Sequence, residues 1–117
     1  MRLSSLLCAL LLTMGVAPLA ADARSDAKKQ VEFGIAVARR GLWREATYRW
    51  ERAATIDPGY AAAHNNLAIA YEHEGEPDKA RAAYEKAIEI EPSNSHIKQN
   101  YELFKEINDR TTRPDTR

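Results

Sequence analysis

The sequence predicts an all-α fold, a short solenoid of two helical hairpins followed by a C-terminal capping helix, and three observations predict it. Residues of matched size recur at a spacing of 34 positions: Phe33/Leu67, Gly41/Gly75, Ala46/Ala80, Trp50/Tyr84, Ala53/Ala87 and Pro58/Pro92. A period of that length belongs to a chain that stacks one supersecondary unit on the next. Within each unit the apolar residues fall at spacings of three and four, the period of one helix face. Glycine and proline then recur where a hairpin must reverse or a unit must end.

The first unit, residues 27–60, reads as helices over Ala27–Arg40 and Arg44–Ile56, and the second, residues 61–94, as helices over Ala61–Glu74 and Asp78–Ile90. Gly41 and Gly75 stand at the reversals, where a left-handed residue ends the first helix. Pro58 and Pro92 stop the second helices, because proline cannot continue one, and leave Asp57-Pro58-Gly59 and Glu91-Pro92-Ser93-Asn94 as turns. Phe33/Gly34/Val37 and Leu67/Ala68/Tyr71 put a large, a small and a large residue on one face of each first helix. The small residue admits the partner helix, whose inward stripe is Ala46/Trp50/Ala53 or Ala80/Tyr84/Ala87. A last helix, residues 95–108, opens on Ser95 as its cap and carries Ile97, Tyr101, Phe104 and Ile107 at helical spacing. Glu102 and Lys105 replace residues that are small or aromatic in the repeats, which gives this helix the wet outer face of a terminal cap. Residues 109–117 carry no apolar side chain and are expected to be disordered.

Leu67-Ala68-x-x-Tyr71, Gly75, Ala80-x-x-x-Tyr84, Ala87 and Pro92 resemble a tetratricopeptide repeat, and Phe33-Gly34, Gly41, Ala46, Trp50, Ala53 and Pro58 resemble another. The resemblance covers residues 27–94 and implies a right-handed α-solenoid of helix-turn-helix hairpins. Where the family begins its pattern with tryptophan or a similar bulky residue, this chain has Gln30 and His64, which implies looser packing at the outer end of each hairpin. The family builds solenoids of three or more units, so two units imply a short array with exposed ends. The resemblance also implies that the first helices line a concave groove. Lys28, Val31, Ile35 and Arg39 would face it from the first unit, Asn65, Ile69, Glu72 and His73 from the second, and Gln99 and Leu103 from the cap. Val31, Ile35, Ile69 and Leu103 are apolar at positions the packing stripe does not use. Clustered, they would hold an apolar peptide or helix of a partner protein, with Asn65 and Gln99 bonding its backbone; scattered, they would be ordinary surface aliphatics. The subtype that grips chaperone C-terminal carboxylates is a poor match, because Val31, Ile35, His96 and Asn100 replace its cations and amides and Asn66 alone agrees.

Ahead of the repeats, Met1-Arg2, the apolar run Leu3–Val16 and Ala17-Pro18-Leu19-Ala20-Ala21-Asp22-Ala23 form the charged, apolar and small-residue regions of a signal peptide over residues 1–23. Cleavage after Ala23 fits the A-x-A form, and cleavage after Ala21 also fits. A periplasmic or secreted protein follows. A membrane enters only if the segment is kept as an anchor, since it approaches the ~20 residues that span a bilayer. The sole cysteine, Cys8, lies in this segment without the small residue that precedes a lipid-modified cysteine, so the processed chain has no thiol for disulfides, metal or nucleophilic catalysis.

The 117 residues carry 17 Lys+Arg and 17 Asp+Glu, enough chain for one domain and no net charge, which with export excludes nucleic acid as the expected partner. The charges are unevenly placed: residues 27–60 hold seven bases and four acids, residues 61–94 three bases and seven acids. Solvated faces matched to helix dipoles account for this, and so does head-to-tail attraction between copies. His64 and His73 lie nine apart on one helix, about half a turn out of phase, and His96 falls at the far end of the groove, so no metal site is expected. There is no Gly-rich phosphate loop, no carboxylate pair against an apolar wall, and no nucleophile set across a pocket from a base; neither catalysis nor a cofactor is expected. The function that follows is a non-catalytic, exported adaptor binding a protein segment in its groove, with a self-associating structural subunit of an envelope assembly as the alternative.

Overall fold

The computed structural model describes the backbone of residues 17–113 and the side chains of residues 21–113. Five helices follow in order: α1 Ala17–Arg39, α2 Trp43–Ile56, α3 Ala61–His73, α4 Pro77–Ile90 and α5 Ser95–Thr112. Three-residue links make hairpins of α1 with α2 and of α3 with α4, and four-residue turns join the hairpins to each other and to α5. Packing of α2 on α3, of α4 on α5 and of α1 beside α3 completes a short all-α solenoid with its first helices side by side.

The hairpin reversals follow from their glycines. Gly41 and Gly75 have φ of 78° and 72°, the left-handed region that a Cβ disfavours. At the first reversal the Gly41 N–H donates to Ala38 O at 2.9 Å and the Leu42 N–H to Val37 O at 3.0 Å. Gly75 and Glu76 repeat the pattern on Glu72 and Tyr71, so both helix ends have their last carbonyls satisfied by the chain that leaves them. Pro77 begins α4 one residue earlier than the periodicity suggests, because proline suits the first helical position, where no N–H is needed. The cap of α5 is Asn94 rather than Ser95: its side-chain oxygen accepts from the N–H groups of His96 and Ile97 at 3.1 and 3.2 Å.

Both terminal helices exceed their expected lengths. Residues 109–112, expected to be disordered, continue α5, with Arg110 paired to Glu106 one turn back and the Thr111 hydroxyl donating to Asn108 O at 2.8 Å. At the other end α1 starts at Ala17, ten residues before Ala27, and Arg24 ties it to the inter-repeat turn. The Arg24 guanidinium donates to Asp57 Oδ2 at 2.5 Å and to Gly59 O at 3.2 Å, and lies 4.8 Å from the centre of the Tyr60 ring. The n-region and apolar run of the expected signal peptide, residues 1–16, lie outside the described residues, as do residues 114–117. Among the described residues no helix is long and apolar enough to cross a membrane.

Small residues set the helix spacing. Ala27, Ala46, Ala53, Ala61, Ala63, Ala68, Ala70, Ala80 and Ala87 are fully buried, so the backbones approach closely and two large aromatics fill the remaining space. Trp50, 2% exposed, lies across Gly34; a Cβ at residue 34 would stand 2.3 Å from Trp50 Nε1. That indole N–H donates to Val31 O at 3.1 Å. In the second hairpin Ala68 and Tyr84 take the corresponding places, and the buried Tyr84 hydroxyl donates to Glu72 Oε2. Tyr84 also receives the cap, its ring centre lying 5.6 Å from those of both Tyr101 and Phe104.

Two residues expected on packing faces are exposed. Leu67 is covered because α2 lies ahead of α3, but no described helix lies ahead of α1, so its counterpart Phe33 is 48% exposed, with the Arg49 guanidinium 4.3 Å from its ring centre. Ile107 is 52% exposed because it stands level with the Gly75–Pro77 turn, where α4 has only begun.

Gly34→Ala drives a methyl group into the indole, and overpacking of this kind costs about 1–3 kcal/mol. Thermal unfolding followed by circular dichroism should show the melting temperature fall by about 4–8 °C per kcal/mol; an unchanged value would mean that Trp50 is not pinned over residue 34. Burial, then the hydrogen bond and charge of Glu72, push the Tyr84 hydroxyl well above its ordinary value of 10.0. The folded chain therefore holds this proton more tightly than the unfolded chain, so its contribution to stability is complete below pH 10.0 and declines as the pH rises above that value. In urea titrations across that range Tyr84→Phe should lose stability less steeply than the unsubstituted protein; equal slopes would contradict the assignment. Tyr60, Tyr71 and Tyr101 are raised as well, chiefly by burial, so the slope should shrink rather than vanish.

Candidate protein-binding groove

Because α1 and α3 are matching helices of successive units, Ile35 and Ile69, one repeat apart, stand on opposite walls of the valley between them. Both are half-buried at the edge of the core. Two cavities open along this valley. One, of about 250 Å³, is lined by Ile35, Ala38, Arg39, Trp43, Trp50, Asn66 and Ile69. The other, of about 270 Å³, is lined by Ile35, Ala62, Asn65, Asn66 and Ile69 and by Glu91, Asn94, His96 and Ile97 from the turn before α5. They share Ile35, Asn66 and Ile69, so they are neighbouring parts of one concave surface.

Trp43, the first residue of α2, closes one end. Its ring stacks on His73 of α3 with centres 4.0 Å apart and meets Trp50 edge-on at 6.5 Å. Thr47, one turn on, has its hydroxyl within hydrogen-bond distance of both Trp43 O, at 2.8 Å, and Glu74 Oε1, at 3.0 Å, just beyond the end of α3. Near the other end, burial and the charges of Glu32, Glu91 and Asp57 raise the Tyr60 hydroxyl against the opposing pull of Arg24. Carboxylates thus gather beside the inter-repeat turns, whereas Arg39 stands at the end near Trp43.

Of the residues the resemblance implied for the groove, Ile35, Arg39, Asn65 and Ile69 line these cavities. Val31 does not. It is 4% exposed and packed in the core, with its carbonyl taking the Trp50 indole N–H, and is therefore closed to a partner. Asn65 is also largely buried, and its Oδ1 accepts from Asn100 Nδ2 at 3.2 Å, a bond that joins α3 to α5. Glu72 is engaged by Tyr84, and His73 by Trp43. Lys28 and Gln99 are exposed and line neither cavity, and Leu103, 57% exposed, stands apart on α5. The periodicity missed Trp43, Ala38 and Asn66 as lining residues. Trp43 was legible only as an aromatic directly after the Gly41-Leu42 reversal, where a second helix begins beside the end of the first. Among the described residues no group of three or more His, Cys, Asp or Glu is arranged to hold a metal ion.

Residues 61–94 match the family model for the tetratricopeptide repeat. Over 89 residues the chain is 32% identical to the Type IV pilus assembly protein PilF of Pseudomonas aeruginosa, a match that takes in 74% of this chain and 35% of that protein. The chain thus spans about a third of the length of the curated relative it matches. Residues 61–94 are thus a tetratricopeptide repeat, a unit that serves as a protein–protein interaction module, and residues 27–60 repeat its residue pattern and helix packing 34 positions earlier.

Proposed function

We propose that the chain is an exported, non-catalytic adaptor that holds a segment of a partner protein in the valley between α1 and α3. The observation that carries this reading is the pairing of Ile35 with Ile69 beside Trp43, which leaves apolar surface open on a concave face. At about 250 and 270 Å³ the two cavities are smaller than the ~300–1,000 Å³ of small-molecule sites. They suit individual side chains of a polypeptide. Export is supported by the signal-peptide pattern of residues 1–23, and an envelope location agrees with the name of the pilus assembly relative.

One observation favours self-association as a second reading. Phe33 and Ala36 are exposed on the outer face of α1, whereas their counterparts Leu67 and Ala70 are buried under the preceding hairpin. A second copy lying there would complete the stack.

The double variant Ile35→Ser/Ile69→Ser separates the readings. An apolar side chain fully buried by a partner is worth about 1.5–3 kcal/mol, so the variant should keep its helical circular dichroism and bind its partner at least about tenfold more weakly in titration. Undiminished affinity would remove the valley as the binding surface. Assembly through the outer face of α1 would instead show as a particle mass, measured by light scattering, that falls on Phe33→Ser and ignores the valley variant.

A further inference from the structure

We propose that the valley selects an extended segment carrying a bulky apolar side chain and, two residues along, a cationic one. This rests on the groove reading above and adds the chemistry of the occupant. The cavity beside Trp43 is walled by Ile35, Ala38, Ile69 and the two indoles, and its volume of about 250 Å³ accepts one large apolar side chain. Arg39 at its rim repels a cation there and so sets the order of the two side chains.

The neighbouring cavity keeps Ile35, Asn66 and Ile69 as its shared wall but opens onto Glu91. The Glu91 carboxylate is exposed and accepts one hydrogen bond, from Asn94 Nδ2 at 2.7 Å. Among the described residues neither Glu91 nor the nearby Glu32 has an ion-pair partner, whereas Asp57 at the same end is neutralised by Arg24 at 2.5 Å. His96 is the one basic side chain lining this cavity.

Two cavities that share three lining residues call for side chains a short step apart. In an extended strand, side chains on one face recur every second residue, about 6.6–6.8 Å apart. An extended segment also brings unpaired backbone N–H and C=O groups, whereas a helix has already paired its own; Asn66, between the cavities, gives one Nδ2 hydrogen to Ala62 O at 2.7 Å and keeps Oδ1 and its second Nδ2 hydrogen for such a backbone.

The test is fluorescence polarisation at pH 8, where histidines in general are neutral, using end-blocked, labelled serine octapeptides that contain Trp-Ser-Lys, Trp-Ser-Gln or Trp-Ser-Glu. Attraction to Glu91 in place of repulsion should favour the Lys peptide over the Glu peptide by about tenfold. Glu91→Gln, which keeps a hydrogen-bond acceptor for Asn94, should abolish that preference, and Glu91→Lys should reverse it. Equal binding of the three peptides, an unchanged preference in both variants, or no binding by any peptide would overturn the proposal. Binding lost in Ile35→Ser/Ile69→Ser but indifferent to charge would sink the proposal and leave the groove reading standing. Binding that survives in that double variant would sink both.

Discussion

The Trp50 indole lies across Gly34 and gives its N–H to the carbonyl of Val31, and the geometry of the concave face depends on that contact. A buried indole N–H without an acceptor is costly, and a helix carbonyl has a second lone pair to offer beyond its own ladder bond. Only a residue without a side chain allows the ring to come near enough to reach it. Once α2 is fixed on α1 in this way, Trp43, two turns before Trp50, is brought edge-on to it and faces α3, where His73 stacks on it. A continuous line of packed groups, Gly34, Trp50, Trp43 and His73, therefore sets the width of the valley whose walls are Ile35 and Ile69.

The second hairpin solves the same packing problem with different chemistry. Tyr84 occupies the place of Trp50, but its hydroxyl reaches the side chain of Glu72 on α3 in place of a backbone carbonyl. The valley between α1 and α3 keeps open apolar walls, whereas the ground between α3 and α5 has a carboxylate already engaged and an Asn65–Asn100 bond across it. Two units of one repeat thus present unlike surfaces, and the apolar one lies beside the unit that uses tryptophan.

The hairpins, their reversals and most of the core were legible in the sequence because each depends on residue size and turn chemistry within a few positions. Gly41 and Gly75 are left-handed, and Ala46, Trp50, Ala80 and Tyr84 are buried, as the 34-residue period implies. What depended on neighbours outside the unit was harder to read. Phe33 and Leu67 hold the same place in the repeat, and only the helix ahead of Leu67 distinguishes their burial. Helical spacing puts Val31 beside the small-residue stripe and outside the hairpin core, yet it is buried in the core cluster that both hairpins share, a contact beyond its own stripe. Asn94 and Ser95 are both good caps one residue apart, and backbone geometry chose between them. Residues 109–112 offered no apolar side chain to predict their order, but a helix already nucleated can extend by its own backbone bonds and the Arg110–Glu106 pair.

Site-specific photo-crosslinking tests whether the valley framed by Trp50 and Trp43 is where a partner's segment lies. A photoreactive phenylalanine derivative placed at residue 69 reports on the valley, and the same group at residue 85, exposed on α4, reports on ground outside it. Irradiated in cells that express the protein natively, the chain should give a defined protein adduct from residue 69 and none from residue 85. An adduct from residue 85 with none from residue 69 would put the partner on α4 and not in the valley.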